Sequence, residues 1–205
     1  MSYRRSVPLE RWLTERRAAI STLAAAHAAM GEVDGPGRPL EIGRPIGHAY
    51  ILRVVAEFQG FVREAHDLAV QRLVELAGVD TPYVPMMTEA ASSGRQIDAG
   101  NPTLRNVQLD FRRLGLSELQ KQLAAHNSRW AAPGGSDKKV YEDLLDMRNA
   151  LAHGNQGQLD LLRLRGLSDT VSWTRRRLPS LNRIASALDH VVWDHLSQLF
   201  GLEPW

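Results

Sequence analysis

Arg148, Asn149 and His153 lie within one short run of the stretch Val140 to Asn155, VYEDLLDMRNALAHGN. A guanidinium keeps its charge at any working pH, and an imidazole takes up or releases a proton near neutrality. With an amide between them, the three side chains suit acid–base work beside a fixed cation. Glu142 and Asp146 add two carboxylates one and two turns upstream. Either could raise the pKa of His153 or bind Arg148, and either also fits a solvated helix face.

The spacing predicts a helix to carry them. At about 100° per residue, Val140, Leu144, Met147 and Leu151 fall on one apolar stripe, and Glu142, Asp146, Asn149 and His153 fall opposite. Arg148 lies beside the stripe, about 140° around the axis from His153. Ser136 or Asp137 is the expected N-cap, and Gly154 fits the C′ position. The same pattern also describes an ordinary amphipathic helix whose terminal histidine favours the dipole.

The rest of the chain supplies the scaffold. Its 205 residues suffice for one good core, so a single domain over 1–205 is expected. With 43% hydrophobic and 23% charged residues the composition is that of a globular protein. No apolar run approaches about 18 residues, and MSYRRSVPLERW has no apolar region after its charges. The expectation is a soluble, cytoplasmic protein that spans no membrane. The chain has no cysteine, which removes thiolate metal sites and cysteine nucleophiles. None of the seven histidines pairs with another at i, i+4, and no phosphate-loop, dinucleotide, zinc-protease or serine-hydrolase motif is present, so no metal and no cofactor is expected.

A formal charge of +2 is too small to announce nucleic acid. Its arginines nevertheless cluster at Arg4 and Arg5, Arg16 and Arg17, Arg112 and Arg113, and Arg175 to Arg177. Such clusters suit an RNA partner, and each pair equally suits a solvated face.

Periodicity places a first helix over 9–30, with His27 on its apolar stripe as a packed core residue, and a Gly/Pro-rich loop over 31–47. The longest periodic run, 46–77, reads as a central helix that Gly60 could bend and Gly78 stops. Its polar members Gln59 and His66 are expected to be hydrogen-bonded within the bundle or exposed at its edge. Residues 80–102 read as a surface excursion. Asn101 and Pro102 look like the entry to a helix ending at Gly115, and Ser117 is a plausible cap for the next, which runs to about Trp130. After AAPGGS at 131–136 comes the focal helix. Residues 156–178 fit a short helix or an edge strand, with the helix preferred, and Pro179 opens the last helix, which stops at Gly201. The predicted fold is an all-α, up-and-down bundle of about five to seven helices, with its core over 46–200.

Arg148, a polar residue directly after it, three further residues and then His153 resemble the Arg-polar-x-x-x-His motif of the HEPN superfamily. The glycine that follows, in RNALAHG, and the upstream segment NPTLRNVQLDFRRLGL are similar to the RiboL-PSP-like and related prokaryotic HEPN groups. The resemblance spans about residues 46 to 155 and implies a HEPN-like fold and a metal-independent endoribonuclease, often a toxin or phage-defence effector, acting as a homodimer. In such an enzyme the RNA is cut by its own 2′-hydroxyl. His153 would be base or acid, Arg148 would clamp the phosphate, and Asn149 would orient the imidazole or bond the scissile phosphate.

Geometry adds a requirement of its own. With Arg148 and His153 about 140° apart, one helix does not easily aim both at a single phosphate, whereas two copies related by a two-fold axis place both types around one groove. Leu145 and Ala152, between them on the wheel, are then expected at the dimer interface. A non-catalytic HEPN-like module binding RNA, a nucleotide or a protein partner such as a cognate antitoxin is the alternative.

Overall fold

In the computed structural model, residues 2–33, 40–133 and 136–205 are described, all of them as helices, turns and connecting segments without a strand. The all-α expectation holds. The chain opens with α1 (Val7–Arg11), a π-helical turn (Trp12–Arg16) and α2 (Arg17–Val33) in unbroken succession. Ser6 caps α1, its hydroxyl accepting from the Leu9 amide, and Pro8 occupies the first turn, where a missing N–H costs nothing.

The central helix is α3 (Leu40–Leu76), which packs against α2, α8 and α11. Tyr50, Ile51, Val54, Phe58, Phe61, Val62 and Ala69 are all buried along it. Phe58 and Phe61 meet Trp12 with ring centroids 5.3 and 6.1 Å away, and Phe58 meets Tyr141 at 5.3 Å. The Gly/Pro-rich segment read as a loop over 31–47 is shorter than expected: α2 continues to Val33 and α3 begins at Leu40, carrying Pro45 inside it. Residues 34–39 of that expected loop lie outside the described residues, as do 134–135 of the predicted break before the focal helix. A proline near the start of a long helix breaks only one rung of its ladder, so composition overstated the break.

Gly60 serves close approach. The Arg16 guanidinium lies over it, so that a Cβ there would stand 2.5 Å from Nη1. Arg16 bonds Glu57 at 2.5 Å and Glu64 at 2.8 Å on either side, fastening the π-helical turn to α3.

The stretch 80–102 is more ordered than an irregular excursion. It holds a 3₁₀ turn (Thr81–Tyr83), α4 (Val84–Ser92) and α5 (Gln96–Ala99). No residue of α4 is buried, and Tyr83, Met86 and Met87 are exposed beside it. Ile97 in α5 is fully buried instead, and Gln59 donates to the Ile97 and Gly100 carbonyls at 2.6 and 2.8 Å. The buried Asp110 carboxylate accepts from the Gln96 and Ile97 amides, and the buried His66 bonds the Asp110 carbonyl.

Helices α6 (Leu104–Arg112) and α7 (Leu119–His126) follow, the first capped by Thr103. The predicted run of α7 to Trp130 ends four residues early. Asn127 turns the chain there, its side-chain oxygen accepting from the Arg129 amide while its Nδ2 donates to Asp137. Next come α8 (Asp137–Ala152), α9 (Gln156–Leu164), α10 (Val171–Arg175) and α11 (Leu178–Phe200). The ambiguous 156–178 stretch is thus helical, and Pro179 stands in the first turn of α11. Among the described residues no helix is long and apolar enough to cross a membrane.

Candidate functional site

Both ends of α8 are fixed by local chemistry that also anchors the helix in the bundle. Ser136 is the N-cap, its hydroxyl accepting from the Lys139 amide at 3.0 Å. Asp137 is buried in the first turn, and Arg183 of α11 grips it with two bonds of 2.7 Å. Burial alone would raise the Asp137 pKa; the bonds from Arg183, Asn127 and Ser180 outweigh it and hold the group below the usual carboxylate range.

At the other end His153 is the C-cap and Gly154 follows with φ of +60°. The Gly154 amide donates to the Leu151 carbonyl at 3.2 Å and the Asn155 amide to Ala150 at 2.9 Å, the paired closure of a Schellman motif. Asn155 then caps α9 by accepting from the Gln158 amide. The site histidine therefore stands at the mouth of a tight, fully bonded turn, with its side chain in solvent.

The buried arc of α8 is wider than its apolar stripe. Tyr141, Asp143, Leu144, Leu145, Met147 and Ala150 are all buried. Leu145 retains 4% exposure and belongs to the core, so it is not available to a dimer interface. The wheel set it between Arg148 and His153, away from the stripe; the helices packed around α8 close over that side as well. Ala152 remains exposed, and Glu142, Asp146, Arg148 and Asn149 are half-buried.

Asn149 Oδ1 is the junction of the site. It accepts from Arg148 Nη1 at 3.3 Å and also from Asn101 Nδ2, which reaches it from the segment before α6. With its oxygen taken twice, Asn149 is left with its amide N–H groups to offer a ligand. Arg148 has no carboxylate within ion-pair reach among the described residues. Nor does the His153 ring have a hydrogen-bond or ion-pair partner among them.

The two carboxylates considered as helpers lie elsewhere. Asp146 stands 3.6 Å from Arg165 Nη1, and Glu142 has no hydrogen-bond partner among the described residues. Neither touches Arg148 or His153. Two residues escaped the sequence reading. One is Asn101, whose partner lies 48 positions away, beyond any periodic pattern. The other is Asp143, which accepts from Lys139 and, at 3.0 Å, from Arg165; its i, i+4 spacing from Lys139 was visible in the sequence. Among the described residues no group of three or more histidine, aspartate or glutamate side chains is placed to hold a metal ion.

The arrangement offers a fixed cation, amide donors and an exposed imidazole along one helix end. No family model matches the chain, and no curated protein or solved structure matches it.

Proposed function

We propose that this protein is a metal-independent endoribonuclease of HEPN type, cleaving RNA by 2′-hydroxyl attack at a site shared across a homodimer. A toxin or phage-defence effector is the role that suits such an activity. The observation that carries the reading is the state of Arg148: half-buried, held against Asn149, and without an opposing carboxylate among the described residues. A guanidinium kept in that state is ready to receive an anion, and a phosphorane would be bound by it through charge-assisted bonds.

His153, exposed at the same helix end, is the proton carrier. Among the described residues none bonds its ring, which fits a site that a second copy completes. With Leu145 buried, the pairing surface reduces to Ala152, the last turn of α8 and the outer face of α9. There Leu161 and Leu164 are 58% and 85% exposed, apolar area that a partner copy would cover.

The test is incubation of the purified protein with structured RNA in the presence of chelator. Products ending in 2′,3′-cyclic phosphate, lost in Arg148→Ala and in His153→Ala, are expected. Intact RNA from a folded dimer would overturn the reading. That outcome would favour a second one, a binding module for RNA, a nucleotide or an antitoxin-like protein, which the unpartnered His153 ring also suits.

A further inference from the structure

Several arginines are engaged by partners in the fold. Arg16 is clasped by Glu57 and Glu64, Arg5 by Glu10, and Arg113 donates to the Ser93 and Ala90 carbonyls. Arg163 and Arg183 are paired with aspartates. The turn between α10 and α11 is different.

Helix α10 is seated firmly. Thr170 caps it by accepting from the Trp173 amide at 3.2 Å, and next to it Asp169 is bonded to His48 of α3 at 2.9 Å and to Arg163 at 2.7 Å. Of the three consecutive arginines, Arg177 turns inward. Its guanidinium lies 3.6 Å from the Trp173 ring centroid, and its Nη1 donates to the Trp173 carbonyl at 2.8 Å. Arg175 and Arg176 turn outward and are exposed, and no carboxylate lies within ion-pair reach of either among the described residues. Together with Ser172 they line an open concavity of about 340 Å³.

The charges of Arg17 and Arg175 both act on the phenol of the buried Tyr50. Arg17 is half-buried, its Nη1 is shielded from solvent without a hydrogen-bond partner, and burial pulls its pKa down. No carboxylate lies within ion-pair reach of Arg17, Arg175 or Arg176 among the described residues, and an anion over the two exposed ones would meet no opposing charge.

We propose that Arg175 and Arg176 form a second anion site, which grips the phosphate backbone of single-stranded RNA apart from the Arg148–His153 site. The concavity is open and lined by Ser172, Arg175 and Arg176, so it suits a chain passing over it, phosphate by phosphate, rather than an enclosed nucleotide. Guanidinium forks match phosphate oxygens in pairs, and Ser172 adds a neutral donor. The choice of RNA among polyanions rests on the nuclease reading; the anion site itself does not.

The probe is a labelled 2′-O-methyl oligouridylate, which has no free 2′-hydroxyl to attack and is bound without being cut. Its affinity is measured from about 50 to 200 mM salt, where each phosphate contact on a single strand contributes about 0.7 to the slope of log K against log salt. Arg175→Gln with Arg176→Gln, both exposed, is expected to leave the melting temperature unchanged, to flatten the slope by about 1.4 and to weaken binding roughly tenfold. Arg129→Gln with Lys138→Gln removes equal charge elsewhere and is expected to leave the slope in place. Equal flattening in both double variants, or none in the first, overturns the site. Polyglutamate displacing the oligouridylate at equal charge, or phosphatidylserine vesicles losing affinity where the oligouridylate does not, overturns the assignment to RNA. Cleavage of unmodified RNA is scored separately: its absence with the slope change intact sinks the nuclease reading and leaves the anion site standing.

Discussion

Asn101 and Asn149 are joined amide to amide, the Asn101 Nδ2 donating to the same Asn149 oxygen that Arg148 bonds. The first of these contacts ties the segment before α6 to the end of α8 and fixes which face of the Asn149 amide is offered to a ligand. On the proposed nuclease activity, Asn101→Ala is expected to lower kcat about tenfold with little change in KM, the worth of one hydrogen bond that positions rather than binds. Asn101→Asp keeps the size and removes the donor, and is expected to fall as far. Wild-type kcat in Asn101→Asp would show that the contact does not position the site.

Leu161 and Leu164 project from α9 just beyond His153. If they form the dimer seam, Leu161→Glu with Leu164→Glu gives a folded monomer by sedimentation, because two carboxylates cannot be buried unpaired against their copies. Cleavage by that variant is expected to fall with it. A dimer that survives both substitutions would place the seam elsewhere.

Gly154 closes α8 in the left-handed region with open space around the position of a Cβ, so Gly154→Ala tests backbone strain alone. The expected cost is about 1 kcal/mol, read as a melting temperature lower by about 3 °C. Cleavage is expected to fall further than this loss of stability accounts for, since the strained turn carries His153. Unchanged melting would mean that the turn relaxes without penalty.

His66 is fully buried, with Nε2 3.3 Å from the Asp110 carbonyl and Nδ1 3.1 Å from Arg95. An arginine donates and a carbonyl accepts, so the ring sits between them as the neutral tautomer protonated on Nε2. Burial, with the Arg95 charge added, holds its pKa below the ordinary histidine value. The unfolded chain therefore takes up a proton as the pH drops below about 6.5 while the native ring does not, and stability falls with falling pH. His66→Phe is expected to flatten the pH dependence of the urea midpoint between about pH 5 and 7, whatever it does to the midpoint itself. An unchanged slope would assign the pH dependence to other groups.

Signals confined to a few neighbouring residues were legible in the sequence. Ser136 as the cap of α8, Gly154 as its stop and Pro179 in the first turn of α11 are local backbone chemistry, and the structure holds each. Leu145 was not legible in this way, because its burial depends on which helices close over the side of α8 between Arg148 and His153. Asn101 was further out of reach, since its meeting with Asn149 depends on how α5 and α6 sit against α3. At 31–47, glycine and proline marked a break, but the helices on either side extend into it.

The bare position at Gly60 has its own reach. A methyl group there would push the Arg16 guanidinium off its seat and leave Glu57 and Glu64, seven residues apart on one face of α3, without the cation between them. Position 60 thus works as a keyhole, open only while it stays empty. With it filled, the Trp12 ring contacts and the Arg11–Glu64 pair are left to hold the N-terminal helices to the central one.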